Sequence, residues 1–427
     1  MDTNAPRLLH PDRLQHVFEA TCLDGQLASG HRARLIWAFV EGVDVSGLEA
    51  RGQSRPGRAG APAISPRLLL ALCLCATLDG VGSSREVARL CEEHVAYRWL
   101  CGHVAVNHHT ISDFRGGAEV FLDGLLSEMI AVLVKAGVVD GSTIYQDGTK
   151  VRASAGSSSF RREASLERLQ KEAAEHVASV KAQATDQKLA PRVRAARERA
   201  ARERQERVAA ALVAMEHIQR VKERNVIRKG RQKPSEARAS TSDPEARVMK
   251  TGSGSKHAAY NVQLGTDGKS RAIVGVQVVQ NPVDYGLSEA MRLEVERRTC
   301  KKVKVHVTDA GYISKETIER EESLGVMRIM PLPTGKDGKP CVKHQPVDGP
   351  GVRAWRERMQ TDEAKDLMRQ RSGIAETPNG ELKTYRAMDR LLVRGIRKAT
   401  SVILLSVIAY NLLHFADSLI GQAMPRI

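Results

Sequence analysis

Five short runs rich in β-branched residues govern what this chain can fold into: residues 142–147, 260–264, 272–279, 302–309 and 326–330. Each has the length and composition of a strand and is bounded by turn-forming residues. Helical periodicity separates the later ones, over residues 287–298 and 314–323, and returns after about residue 361. The order strand, strand, strand, helix, strand, helix, strand predicts an α/β domain on a mixed sheet. The first strand is cut off from the second by a long stretch without strand character, so the core strands must pair across an insertion.

That insertion has its own texture. From residue 161 to 228 the chain is dense in Arg, Glu, Lys, Gln and Ala, and Pro191 divides it into two long helical stretches. Leu166, Leu169, Val177 and Val180 on the first, with Val208, Leu212, Met215 and Ile218 on the second, are spaced for one packed seam. An antiparallel helical hairpin is the simplest account. Its interspersed acids fit a solvated arm, and its surplus of bases fits an arm that tracks DNA. Ser/Gly-rich segments at 155–159 and 251–255 flank it, so it is expected to be dispensable for folding of the core. Residues 229–255 read as a basic loop.

The part before the sheet is helical. Residues 11–50 carry helical spacing, and residues 51–62 alternate Gly, Pro and Arg as an exposed linker does. From Ser65 the spacing of Leu68, Leu69, Leu72, Leu74 and Leu78 predicts a buried helix. Ser83 and Ser84 offer an N-cap to the next, and Thr110 with Asp113 resembles a capping box. Arg85, Arg89, Arg98 and Arg115 project from these short helices. The layout suits a helix-turn-helix DNA module, with Arg115 among its contacts, and equally a plain helical scaffold. The expected division is a helical N-terminal DNA-binding domain over 1–137, a catalytic domain over 138–160 and 250–427, and hairpin plus basic loop over 161–249.

Composition narrows the partners. Across 427 residues the formal charge is +16, which draws the chain to a polyanion, with nucleic acid first. Aromatics are only 4%, so base stacking is not the expected mode of recognition. The apolar runs 68–78 and 402–413 are too short to span a bilayer and read as buried helices, with no membrane partner expected. Seven cysteines without a dense framework fit a reducing cytosol. Cys91, His94, Cys101, His103, His108 and His109 are close in sequence, yet no pair has the spacing of a zinc site. Residues 252–256 lack the Walker spacing of a phosphate loop.

The chemistry is expected at two aspartates. Asp147 and Asp309 each end a strand-like run immediately before a glycine-containing turn, the sheet edge where catalytic groups gather. Side by side on adjacent strands they would repel unless a divalent cation neutralised them, and hard carboxylate oxygens suit Mg²⁺ or Mn²⁺. A third carboxylate is then needed. Glu376 is the candidate, at a helix start or kink because of Pro378, with Lys383 two turns further on. Glu381 is its rival, while Asp284 reads as a loop residue, and Asp243 and Glu245 as turn caps.

Asp-Gly-Thr-Lys-Val-Arg-Ala from Asp147, Thr-Asp-Ala-Gly-Tyr around Asp309, and Arg-Ser-Gly-Ile-Ala-Glu ending at Glu376 together resemble the insertion-sequence DDE transposases. The resemblance continues in front through Asn-His-His-Thr-Ile-Ser-Asp-Phe-Arg and behind through Arg394-Gly-Ile-Arg-Lys and Ala-Tyr-Asn-Leu. It implies a ribonuclease H-like core, a metal-binding triad of Asp147, Asp309 and Glu376, and DNA contacts from Arg371 and Lys383, with Lys150 and Arg115 as further DNA-binding candidates. It also implies two-metal phosphoryl transfer: water attacks at an element end, and the freed 3′-hydroxyl attacks target DNA. The implied partners are double-stranded DNA, as terminal inverted repeats and as target, and further copies of the chain, on the bacterial nucleoid in the cytoplasm. Met368 departs from the tyrosine often found in the family's C-terminal signature. A catalytically silent DNA-binding derivative and a metal-dependent nuclease are the other readings.

Overall fold

The structure, a computed structural model, describes residues 22–51, 62–182, 190–229, 236–252, 254–335 and 338–420. The expected linker at 51–62 and the start of the helix expected from residue 11 fall largely outside these.

Among the described residues seven α-helices come first: α1 (Arg32–Glu41), α2 (Ser46–Glu49), α3 (Pro66–Leu78), α4 (Ser84–Glu93), α5 (Val95–Cys101), α6 (His108–Gly117) and α7 (Glu119–Lys135). Ser65 caps α3 with Pro66 in its first turn, and Ser83 caps α4 through the Glu86 amide, so both starts lie where the hydroxyls suggest. At α6 the cap is Asn107. Its Oδ1 accepts from both the amide and the hydroxyl of Thr110, so Thr110 sits inside the helix instead of opening it.

The sheet follows, with β1 (Thr143–Arg152), β4 (Arg247–Lys250), β5 (Lys256–Asp267), β6 (Ile273–Val279), β7 (Val305–Val307) and β8 (Met327–Ile329). Between β1 and β4 lie a two-residue strand pair, β2 (Phe160–Arg161) and β3 (Ala239–Ser240), and the hairpin helices α8 (Glu163–Ala182) and α9 (Pro191–Lys229). β5 is the pivot: β1 runs antiparallel along one side, and β4 then β6 pair antiparallel along the other. β7 lies parallel to β1, and β8 parallel to β7. Helix α10 (Ser288–Thr299) joins β6 to β7, and α11 (Lys315–Ser323) joins β7 to β8.

The hairpin seam is as spaced in the sequence: Leu166, Val177, Val208 and Met215 are buried between α8 and α9. What the sequence concealed is its root. β2 and β3 clasp the two ends, and the chain rejoins the main sheet at Arg247, inside the stretch read as loop. Strands of two and four residues are too short to leave a periodicity.

After β8 come α12 (Pro350–Arg358), α13 (Asp362–Arg371), a π-turn (Ser372–Glu376), α14 (Thr377–Tyr385) and α15 (Ile396–Ile420). α15 is longer than its apolar run implied, and by length and composition it is sufficient to cross a membrane. Most of it is buried instead, against α7, α3, α6 and β6. Its buried Asn411 accepts from the Ile273 amide and donates to the Ile273 carbonyl, closing the open edge of β6. At its start the amides of Gly395 and Ile396 donate to Asp243 and Glu245, the positive helix end meeting two acids.

Candidate active site

β1 does not end at Asp147. It continues to Arg152 against β5, with Asp147 opposite Leu264 and Gly148 opposite Gln263, so the expected turn is absent. Gly148 serves close approach: a Cβ there would collide with Gln263 Nε2 and come within 2.6 Å of Asp284 Oδ1. The neighbouring strand is the one that ends. Tyr145 pairs with Val307, the last residue of β7, and the same register carried two residues further brings Asp309 opposite Asp147. Asp309 caps a single turn of 3₁₀ helix, its Oδ1 accepting from the Gly311 amide at 2.7 Å.

Over Asp147 lies the broken helix α13–π–α14. Pro378 has no amide hydrogen to give the α-helical ladder, and the π-turn just before it absorbs the mismatch. This is the kink anticipated near Glu376. Ile374 and Ala375 within it pack on Tyr145, Val307 and Ile329, which fixes the turn to the sheet.

Arg371 links the acids. Its Nη2 lies 2.8 Å from Glu376 Oε1 and its Nη1 3.5 Å from Asp147 Oδ1, and among the described residues Nη1 makes no hydrogen bond. On the other carboxylate oxygen of Asp147, Asn379 Nδ2 donates at 3.0 Å. Burial pushes the Asp147 carboxyl up to about 6; Arg371 opposes the rise, and the charges of Asp309 and Glu376 add to it. Asp147 therefore senses the charges of both other sequence-predicted acids, although Glu376 is half exposed. Among the described residues no three His, Cys, Asp or Glu side chains already close around an ion. The donor set nonetheless fits a hard divalent cation. It is carboxylate oxygen throughout, one member resists ionising, and the positive charge now between two of them is a guanidinium with an unbonded nitrogen.

The remaining candidates fall in different places. Burial pushes the Lys383 ammonium down, with Asp389 and Asp147 pulling it up and Lys150 adding to the fall; among the described residues it has no ion pair. Lys150 pairs with Asp284 at 2.9 Å, both largely buried. Arg115 is buried and donates to the Val81 and Gly82 carbonyls, so in this state it faces protein, not DNA. Glu381 pairs with Arg386 at 2.8 Å and with His414 at 3.0 Å, away from Asp147.

Two residues have a part that the sequence did not indicate: Asn379, and Asp284, expected only as a loop residue. Asp284 is in a loop after β6, but its Oδ1 accepts from Lys150, Asn261 and Gln263 beneath Gly148. The signal was Gly148 itself, a glycine inside a strand. Asn379 could have been found by its place three residues after Glu376, on the same helical face.

Two families match the chain. Residues 21–117 match a family described as a transposase domain (DUF772), and residues 226–412 match one described as a transposase DDE domain. Together they take in about two thirds of the sequence. Asp309, Arg371, Glu376 and Lys383 lie inside the second match, and Asp147 lies between the two. No curated protein and no solved structure matches.

Proposed function

Because the chain belongs to the insertion-sequence DDE transposases, we propose that Asp147, Asp309 and Glu376 are its catalytic acids, holding Mg²⁺ or Mn²⁺ while element ends are cut and joined to target DNA. The observation that carries this is the coupling of all three through Asp147, whose carboxyl is raised by burial and by the other two acids while Arg371 bridges it to Glu376. When bound, the ions would supply charge neutralisation for an in-line displacement at phosphorus.

The protein's own groups do the rest. β1 carries Asp147, the segment after β7 carries Asp309, and the π-turn carries Glu376, which Arg371 links to Asp147. Arg371, freed from the carboxylates if cations took its place, would be available to a DNA phosphate, with Lys383 as a second contact. The strand order β6-β5-β1-β7-β8, with β5 alone reversed, supports the ribonuclease H-like reading of the core.

The test is a joining assay with the full chain, Mg²⁺ and DNA carrying the inverted repeats that flank the reading frame. Cutting of the end and joining of a pre-cut 3′-hydroxyl end support the proposal. Cutting without joining would make the protein a nuclease, and binding without either a silent DNA-binding derivative. If Asp309→Asn and Glu376→Gln both retained full activity, the assignment of the acids would fall.

A further inference from the structure

Asn379 is 6% exposed and stands one helical turn beyond Glu376. Its Nδ2 donates to Asp147 Oδ2 at 3.0 Å and to the Ala375 carbonyl at 3.2 Å. Both partners are acceptors, so the amide is fixed in this sense: reversed, it would set oxygen against two oxygens. Oδ1, on the same carbon, is buried and among the described residues has no hydrogen-bond partner. A buried acceptor beside an acid site, with no donor from the protein, calls for one from outside it.

Resting on the function proposed above, we propose that Asn379 is a positioning residue of the acid site. It holds Asp147 Oδ2, which leaves Oδ1 turned to the place where Arg371 now supplies the positive charge, and it offers its own Oδ1 to a water in the shell of the bound cation. Mg²⁺ and Mn²⁺ suit this role. Mg²⁺ keeps several waters and is held by one or two carboxylates, and such waters are donors to a nearby amide oxygen. The competing role is local: the bond to Ala375 could do no more than satisfy a carbonyl freed by the π-turn.

Metal affinity separates the two, because loss of an outer-shell partner costs roughly ten- to hundredfold in binding, whereas a purely structural bond affects folding alone. The full chain, freed of metal and without DNA, is titrated with Mn²⁺ while the spectrum of the free ion is followed by electron paramagnetic resonance; thermal unfolding is recorded in parallel. Asn379→Leu is expected to bind Mn²⁺ roughly ten- to hundredfold more weakly with cooperative unfolding retained. Asn379→Ser, which keeps a donor and an acceptor at shorter reach, falls between. Asp147→Asn marks the loss expected when an acid itself is removed.

If Asn379→Leu binds Mn²⁺ as tightly as the unsubstituted chain while Asp147→Asn does not, the positioning role is overturned and the acid site stands. A lowered melting temperature with unchanged affinity overturns that role as well. If Asp147→Asn keeps full affinity, both proposals fall together. Should the leucine variant not fold, unchanged affinity in Asn379→Ser overturns the role, and a loss of several-fold supports it.

Discussion

The two faces of β1 differ by one residue in sequence and are opposite in chemistry. On one face Gln146 bonds to Gln263 and to His306, His306 to Arg328, and Arg328 pairs with Glu321 at 2.9 Å, all fully buried. Glu321 also meets Arg292, and Asp284 gathers Lys150, Asn261 and Gln263 at the edge of the same network. Burial and the neighbouring Arg328 and Arg292 push His306 well below its ordinary value, so it stays neutral there. On the other face Asp147 is held by one arginine and one amide while two nearby acids oppose its charge; the difference is one of charge, since among the described residues atoms without hydrogen bonds occur on both faces, Arg371 Nη1 and Asn379 Oδ1 here and Arg328 Nε and Glu321 Oε2 there. A polar cluster that balances within the protein stabilises the fold; one left unbalanced is set for something the fold does not contain.

The largest effect expected from this contrast is on activity. Asp147→Asn should lower cleavage and joining roughly a thousandfold or more, since a metal-bound transition state loses several kcal/mol of stabilisation. Retained DNA binding in a filter or mobility assay would show the variant is folded. Activity within tenfold of the parent would break the comparison, placing the chemistry elsewhere.

Across the strand the same kind of change should act on stability. Glu321→Gln removes the acid from between Arg328 and Arg292, leaving the buried Arg328 guanidinium without its paired acid while Arg292 keeps Glu296 at 3.0 Å. Removing one partner of a buried pair costs about 3–5 kcal/mol, to be read as a fall in the denaturant midpoint. A loss under 1 kcal/mol would mean that water reaches this face and that the two faces are less different than they look.

The pH dependence sharpens the contrast. Asp147 has its folded value raised to about 6 from 3.8, so between those values the folded chain holds a proton that the unfolded chain has released. Stability from this group is therefore present at pH below about 4 and is lost as pH rises through about 6, by about 3 kcal/mol at most. Asp147→Asn, which cannot ionise, should be the more stable protein at pH 8 without metal and equal at pH 4. Mg²⁺ should restore the parent at pH 8 and leave the variant unchanged. Equal unfolding curves at both pH values would mean the carboxyl ionises freely.

This contrast also explains what was legible beforehand. The five strands, the helices between them and the hairpin seam are written as periodic apolar patterns long enough to read. The ends of elements are not. Gly148 read as a turn because glycine marks turns and close approaches alike, and only the position of Gln263 distinguishes them. Arg115 read as a surface cation because its place in a short helix does not disclose that the Val81 and Gly82 carbonyls point at it. The three acids were proposed from strand ends and motif order. Asn379 was not, since its place three residues after Glu376 gains significance only through a contact 232 residues away.

The smallest effect belongs to Lys383, and it tests where the site's positive charge is directed. The side chain is half-buried beside Asp147, Lys150 and Asp389 and has no ion pair among the described residues, so its charge is either a counterweight to Asp147 or is kept for DNA. The two roles have different salt signatures. A lysine that meets a phosphate releases about one counterion, so Lys383→Ala should make the slope of log affinity against log salt shallower by about 0.9, with only a several-fold loss of affinity. A counterweight would leave that slope unchanged and instead raise the Asp147 carboxyl further, moving the pH at which Mg²⁺ begins to stabilise the protein upward. A shallower slope with an unmoved pH midpoint places Lys383 on the DNA, and the reverse pattern returns it to the charge balance of the acid face.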